Sequence, residues 1–149
     1  MVQIDGSHEP ITLEEINKFQ RKFNLNFTEQ YIKFLLESNG GDPSPSMFKI
    51  SDEQGAGVLN IFYGIGDMYS NLEEYIDIYE YRLPTGFIPI GNDPSGNMIC
   101  LGLNEKYYNN IYFWDHEQES ENPDDMKNMY FLANDLNEFL DSLYDDEEE

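Results

Sequence analysis

The sequence predicts an α+β fold: a mostly antiparallel, twisted sheet with helices packed against it. Three observations predict it. First, the stretch Phe87 to Glu117 holds three short apolar runs, Phe87-Ile88-Pro89-Ile90, Met98-Ile99-Cys100-Leu101 and Ile111-Tyr112-Phe113-Trp114. They are rich in β-branched, aromatic and aliphatic residues, and Asx, Gly and Pro residues separate them, as in consecutive antiparallel strands joined by turns. Second, apolar residues recur at helical spacing in segments before, between and after the strand-like runs. Third, 149 residues with 40 % hydrophobic and 15 % aromatic content are enough for one sizeable core. The expected order is α-α-β-β-α-β-β-β-(β)-α, with residues 11–144 as one domain.

Met1 to Pro10 is polar and expected to be loosely held. Thr12-Leu13-Glu14-Glu15 then forms a capping box, with Ile11 and Ile16 placed for a hydrophobic staple. Leu13, Ile16, Phe19 and Phe23 are the expected buried face of this first helix, and Lys18, Arg21 and Lys22 suit its closing turns. A second helix is expected from Thr28, stapled by Phe27 and Ile32, with Tyr31, Phe34 and Leu35 inward. Ser38-Asn39-Gly40-Gly41 should end it through a left-handed cap. Asp42 to Ser46 reads as loop. Met47 to Ile50 and Val58 to Tyr63 read as strands joined by the Gly- and acid-rich loop Asp52 to Gly57.

A third helix opens near Ser70, lines one face with Leu72, Tyr75, Ile76, Tyr79 and Leu83, and is stopped by Pro84. The three strands follow, with the turn Gly91 to Asn97 between the first two. Glu117 to Asp125 is an acid-rich loop, and Asn128 to Ala133 fits either an edge strand or a helix lead-in. The last helix, capped by Asn134 or Asp135, turns Leu136, Phe139, Leu140 and Leu143 inward. The closing run Asp145 to Glu149 is expected to be disordered and solvated.

Charge narrows the function classes. Thirty acids against eight bases give a net charge of −22, and −13 of it falls from Tyr107 onward. A phosphate-gripping surface needs many Lys and Arg contacts, so nucleic acid is excluded as a partner, and an anionic membrane would be repelled. A basic protein partner would be attracted and its encounter accelerated. Cys100 is the only cysteine, so no internal disulfide is available; a reducing compartment, the cytoplasm, is expected. The first 20 residues lack a secretory pattern, and no apolar run reaches the length of a membrane span.

Catalytic chemistry finds no support in the residues. A nucleophilic set would have to combine Cys100 and His116 with Asp115, yet neighbours on a strand face opposite sides, so Asp115 is badly placed to orient His116. One Cys and two distant His make a poor zinc set. Asp93-Pro94-Ser95-Gly96-Asn97 lacks the alternating carboxylates of a calcium loop and reads as a tight turn. Gly64-Ile65-Gly66 has no following Lys and is flanked by acids, unlike a phosphate loop. No cofactor or metal is expected.

The order of these pieces resembles the SUKH superfamily, which includes the Smi/Knr regulators of fungal cell-wall synthesis and many bacterial immunity proteins. The resemblance rests on the Thr12 to Phe23 helix, Tyr31-Ile32-Lys33-Phe34-Leu35 with Asn39-Gly40-Gly41, and Phe87-Ile88-Pro89-Ile90-Gly91 with Gly96-Asn97 and Ile99-Cys100-Leu101. It continues through Ile111 to Glu117 and the closing helix. Phe27-Thr28 departs from the Leu-Pro that often precedes the second helix in such proteins. The resemblance implies a non-enzymatic binding module, here an immunity protein that neutralises a cognate toxin such as a nuclease. The alternative it implies is a scaffold or regulatory domain for endogenous proteins. Acids at the sheet rim and in the next loop, Asp115, Glu117, Glu119 and Glu121 with His116 and Asp93, are the expected partner-contacting residues.

Overall fold

The computed structural model describes residues 2–145. Of the closing acidic run only Asp145 lies within them, so the expectation of a disordered tail falls outside the described residues. A five-stranded antiparallel sheet forms the centre: β5 (Ile61–Phe62), β6 (Phe87–Asn92), β7 (Met98–Gly102), β8 (Ile111–Trp114) and β9 (Met129–Ala133), paired in that order. The three expected strands are its middle three. Every residue of β7 and all but the last of β6 are buried. Both faces of the sheet are therefore covered, which is why these runs are continuously apolar rather than alternating. Of residues 128–133, which fitted two descriptions, Met129–Ala133 form the edge strand β9.

Along β8, Phe113 and Trp114 point to opposite faces. On the Phe113 side, the Phe48 ring of β3 (Met47–Ser51) lies 5.9 Å from Phe113 and 5.8 Å from Phe139 of α4 (Leu136–Asp141). On the Trp114 side, Tyr79 of α3 (Leu72–Tyr79) meets the indole edge-on at 5.6 Å. Near the sheet edge, Phe62 meets Phe34 of α2 (Glu29–Glu37) edge-on at 5.0 Å.

The helices start where side chains satisfy their first amides. Thr12 and Glu15 close the expected capping box of α1 (Leu13–Phe23), and Thr28 caps α2. Asn71 caps α3, one residue past the expected Ser70, and Asp135 caps α4. Leu13 departs from expectation: it is half exposed at the first helical position, and Ile11, ahead of the cap, is buried in its stead. The end of α2 also departs. Ser38 is extended (φ −148°) rather than left-handed, and the bend follows at Gly40 (φ +77°) and Gly41. The reason is Asn39, whose buried side chain bonds the carbonyls of Glu9 and Ile65 and the amide of Ile65. That polar staple, not helix termination, dictates the local backbone.

Two further pairings were not expected. Gln3–Asp5 (β1), placed in a loosely held lead, pairs with Asp42–Ser44 (β2), read as loop. The run Val58 to Tyr63 divides: Val58 closes β4 (Gly55–Val58), a hairpin partner of β3, and β5 begins at Ile61.

Candidate partner-binding face

The register Met98 with Trp114 brings the β6–β7 turn beside the exit of β8. The Asp93 carboxylate organises that turn: Oδ1 accepts from the amides of Ser95 and Asn97, both at 2.9 Å, and Oδ2 accepts from Asn97 Nδ2 at 2.8 Å. Asn97 Oδ1 in turn accepts from the amide of His116 at 2.9 Å. The imidazole lies against Gly96, where a Cβ would sit 3.7 Å from its ring. Asp93 and His116 are thus brought together, joined through Asn97.

Asp115 behaves differently from the expected exposed rim acid. It is buried; its carboxylate accepts from the amide of Glu117 at 3.0 Å and from Gln118 Nε2 at 2.7 Å. Its own amide and carbonyl are tied to Asn128. The chain must make a single 3-10 turn at once on leaving the sheet, His116–Gln118, and the Asp115 side chain caps it.

Beyond that turn, the acid-rich loop is clamped to the end of α3. Glu119 receives a two-pronged bond from Arg82, Nε and Nη2 each at 3.0 Å. The same guanidinium lies 4.6 Å from the Tyr79 ring centroid and 5.4 Å from that of Trp114. Pairing with Glu119 raises the Arg82 pKa above its usual value. Asp124 Oδ1 accepts from the amide of Thr85 at 2.7 Å, and this bond holds the carboxyl below the ordinary carboxylate range. Asp125 caps the second 3-10 turn, Met126–Asn128. Glu117 and Glu121 remain as exposed carboxylates that form no ion pair among the described residues. Of the six expected contact residues, then, Asp93, Asp115 and Glu119 build the platform, while His116, Glu117 and Glu121 stand on it.

Arg82 and Thr85 were missed in the sequence, and Asn97 was read only as a turn residue, without its bond to the His116 amide. Arg82 is 37 residues from Glu119, and no local pattern signals that pair. The candidate nucleophile is silent: Cys100 is fully buried opposite Pro89 and Tyr112, and burial pushes its thiol far above the ordinary range. Among the described residues, no group of three or more His, Cys, Asp and Glu side chains is placed to hold a metal ion. No helix there is long and apolar enough to cross a membrane.

The profile of the SMI1 / KNR4 family (SUKH-1) matches residues 10–142. The chain belongs to this family. It is also 36% identical, over 105 residues, to the SPbeta prophage-derived uncharacterized protein YokK of Bacillus subtilis (strain 168). That match covers 70% of this chain and 50% of YokK, so the chain spans about half the length of the relative. The SUKH-1 family includes immunity proteins that bind toxins, and it is known for binding rather than for catalysis.

Proposed function

We propose that this protein is an immunity protein: residues 11–144 act as one non-enzymatic domain that captures a basic cognate toxin in the cytoplasm. Contact is made through the face built by Asp93, Asp115, His116, Glu117, Glu119 and Glu121. One observation carries the reading. In a family that includes toxin-binding immunity proteins, this chain bears a net charge of −22 and holds Glu117 and Glu121 outward on a loop clamped at Arg82 and Thr85. A nuclease grips phosphate with a basic cleft, and fixed carboxylates can occupy such a cleft. Charge of this kind acts mainly on the association rate.

The test is affinity capture from the native cell, followed by association kinetics with the captured protein. The association rate should fall steeply from about 50 mM to about 500 mM salt as the Debye length shortens. The double variant Glu117→Lys/Glu121→Lys should slow association roughly ten-fold at low salt with little change in dissociation. Co-expression should protect cells from the captured toxin. An association rate indifferent to salt, or a captured client whose contact face is acidic, defeats the reading.

A further inference from the structure

A second feature adjoins the acidic face. Between the C-terminal end of α1 and α3 lies a cleft of about 440 Å³, within the range of about 300–1,000 Å³ typical of binding clefts. Its apolar lining includes Phe23, Leu25, Ile76, Tyr79 and Leu103. Among the described residues no Lys or Arg lines it, whereas Asp77 and Glu80 do. Tyr81 on its border is 80% exposed, a residue type favoured at protein interfaces. Thr85, whose amide Asp124 holds, is among the lining residues, so the acid-rich loop is bonded to the cleft wall at that point.

Hydrogen bonds within the chain hold the walls. Asn24 turns the chain in a left-handed cap (φ 54°), and the amide of Leu25 bonds back to Gln20. The Tyr108 hydroxyl donates to the carbonyls of Asn26 and Phe27, at 3.2 and 3.1 Å. Opposite, Asn104 Nδ2 donates to the carbonyl of Thr85, and the Leu103 amide to that of Gly86. Gly86 is required there: its φ is +91°, and a Cβ would fall 2.6 Å from that of Asn104. A preformed apolar hollow spends little ordering entropy when it is filled.

We propose that this cleft is the anchoring socket for one apolar side chain, aromatic or large aliphatic, flanked by lysines or arginines on a protein partner. The apolar group enters against Leu25, Ile76 and Leu103, and the flanking cations meet Asp77 and Glu80 on one side and the acid-rich loop on the other. The proposal rests on the acidic-face reading above and supplies what charge alone lacks, a desolvated anchor that slows dissociation.

The probe is an acetylated, amidated pentapeptide with phenylalanine between two lysine pairs, titrated into the isotope-labelled full chain and followed by amide NMR shifts. Its controls carry serine in place of phenylalanine, or glycines in place of the lysines. The phenylalanine–lysine peptide should shift the amides of Leu25, Gly86 and Leu103 and bind at least about ten-fold tighter than the serine peptide. Leu103→Glu should weaken it about ten-fold, although this variant adds negative charge and purely electrostatic binding would strengthen.

Equal binding of the serine and phenylalanine peptides, with shifts confined to residues 115–125, overturns the socket and leaves the acidic face standing. Failure of both lysine peptides to bind at low salt overturns socket and acidic face together. Undiminished binding of the glycine-flanked peptide overturns the basic partner in favour of a small apolar ligand. Shifts at the cleft amides on simple dilution of the protein assign the occupant to a second copy and likewise overturn the proposal.

Discussion

Asn39 illustrates how much of this fold depends on single polar side chains. It is 3% exposed, and its amide group serves three backbone partners on two segments, residue 9 and residue 65. Its own carbonyl accepts from the amide of His8. Asn39→Ala removes the side-chain bonds and leaves the Ile65 amide without its acceptor. Each buried orphan costs about 1–3 kcal/mol, so a loss of about 2–4 kcal/mol in urea unfolding is expected. Asn39→Asp keeps the acceptor for the Ile65 amide but sets a buried carboxylate oxygen against the carbonyls of Glu9 and Ile65, and should cost at least as much as alanine. Cys100 allows a second test at this scale. Its thiol is buried and held protonated. Iodoacetamide at pH 8 should therefore leave the native protein unmodified and label it promptly in denaturant. Fast labelling of the native chain would mean that the centre of β7 opens readily.

At the scale of elements, the loop Glu117 to Asp125 is held by two contacts of different character. Arg82 combines a bidentate pair to Glu119 with stacking on Tyr79 and Trp114, but its side chain is 41% exposed and Glu119's is 30% exposed. Solvent screening limits the pair, so Arg82→Ala should cost about 1–2 kcal/mol in total, with ring contacts supplying a large share. The Asp124 contact is sensitive to pH. Its carboxyl is held below the ordinary range by the Thr85 amide, so the unfolded chain takes up this proton more readily than the folded one. The contribution is complete above the usual carboxylate pKa of about 4 and is lost as pH falls through the lower folded value. The Thr85 amide resonance should follow that titration, and Asp124→Asn should abolish it.

Legibility in the sequence followed the range of the interactions. Capping boxes and helical periodicity lie within a few residues, so the helix starts were readable at Thr12 and Thr28. The middle strands were readable because their apolar runs are unbroken. The pairing of Gln3–Asp5 with Asp42–Ser44 was not, since short polar strands carry little signal and their partner lies about 40 residues away. The platform acids were visible as a cluster. Yet Asp93 and Asp115 looked like Glu117, and only the fold separates carboxylates spent on backbone amides from those left outward. The cleft drew its walls from several segments at once, and no single stretch announces it.

For the whole molecule, the dominant electrostatic fact is self-repulsion. Three ion pairs join the described residues, at Lys22–Glu73, Lys49–Asp52 and Arg82–Glu119. All involve substantially exposed side chains, and such pairs contribute at most about 1 kcal/mol each. Against them stand 30 acids and 8 bases, an imbalance that disfavours any compact state. Salt weakens both effects, but the unbalanced charge is far the larger. Raising NaCl from about 10 mM to about 500 mM at pH 7 shortens the Debye length from about 30 Å to under about 5 Å. The thermal midpoint should therefore rise, by about 3–8 °C for a gain of about 1–2 kcal/mol in a chain of this size. A scanning calorimetry series in salt measures it directly. The same series on Glu117→Lys/Glu121→Lys should show a higher starting midpoint and a shallower salt response, since four units of negative charge have gone. A midpoint that falls with salt would mean that the ion pairs outweigh the repulsion. The carboxylates of the acid-rich loop would then be held by local attraction, rather than kept available, at some cost in stability, for a positively charged partner.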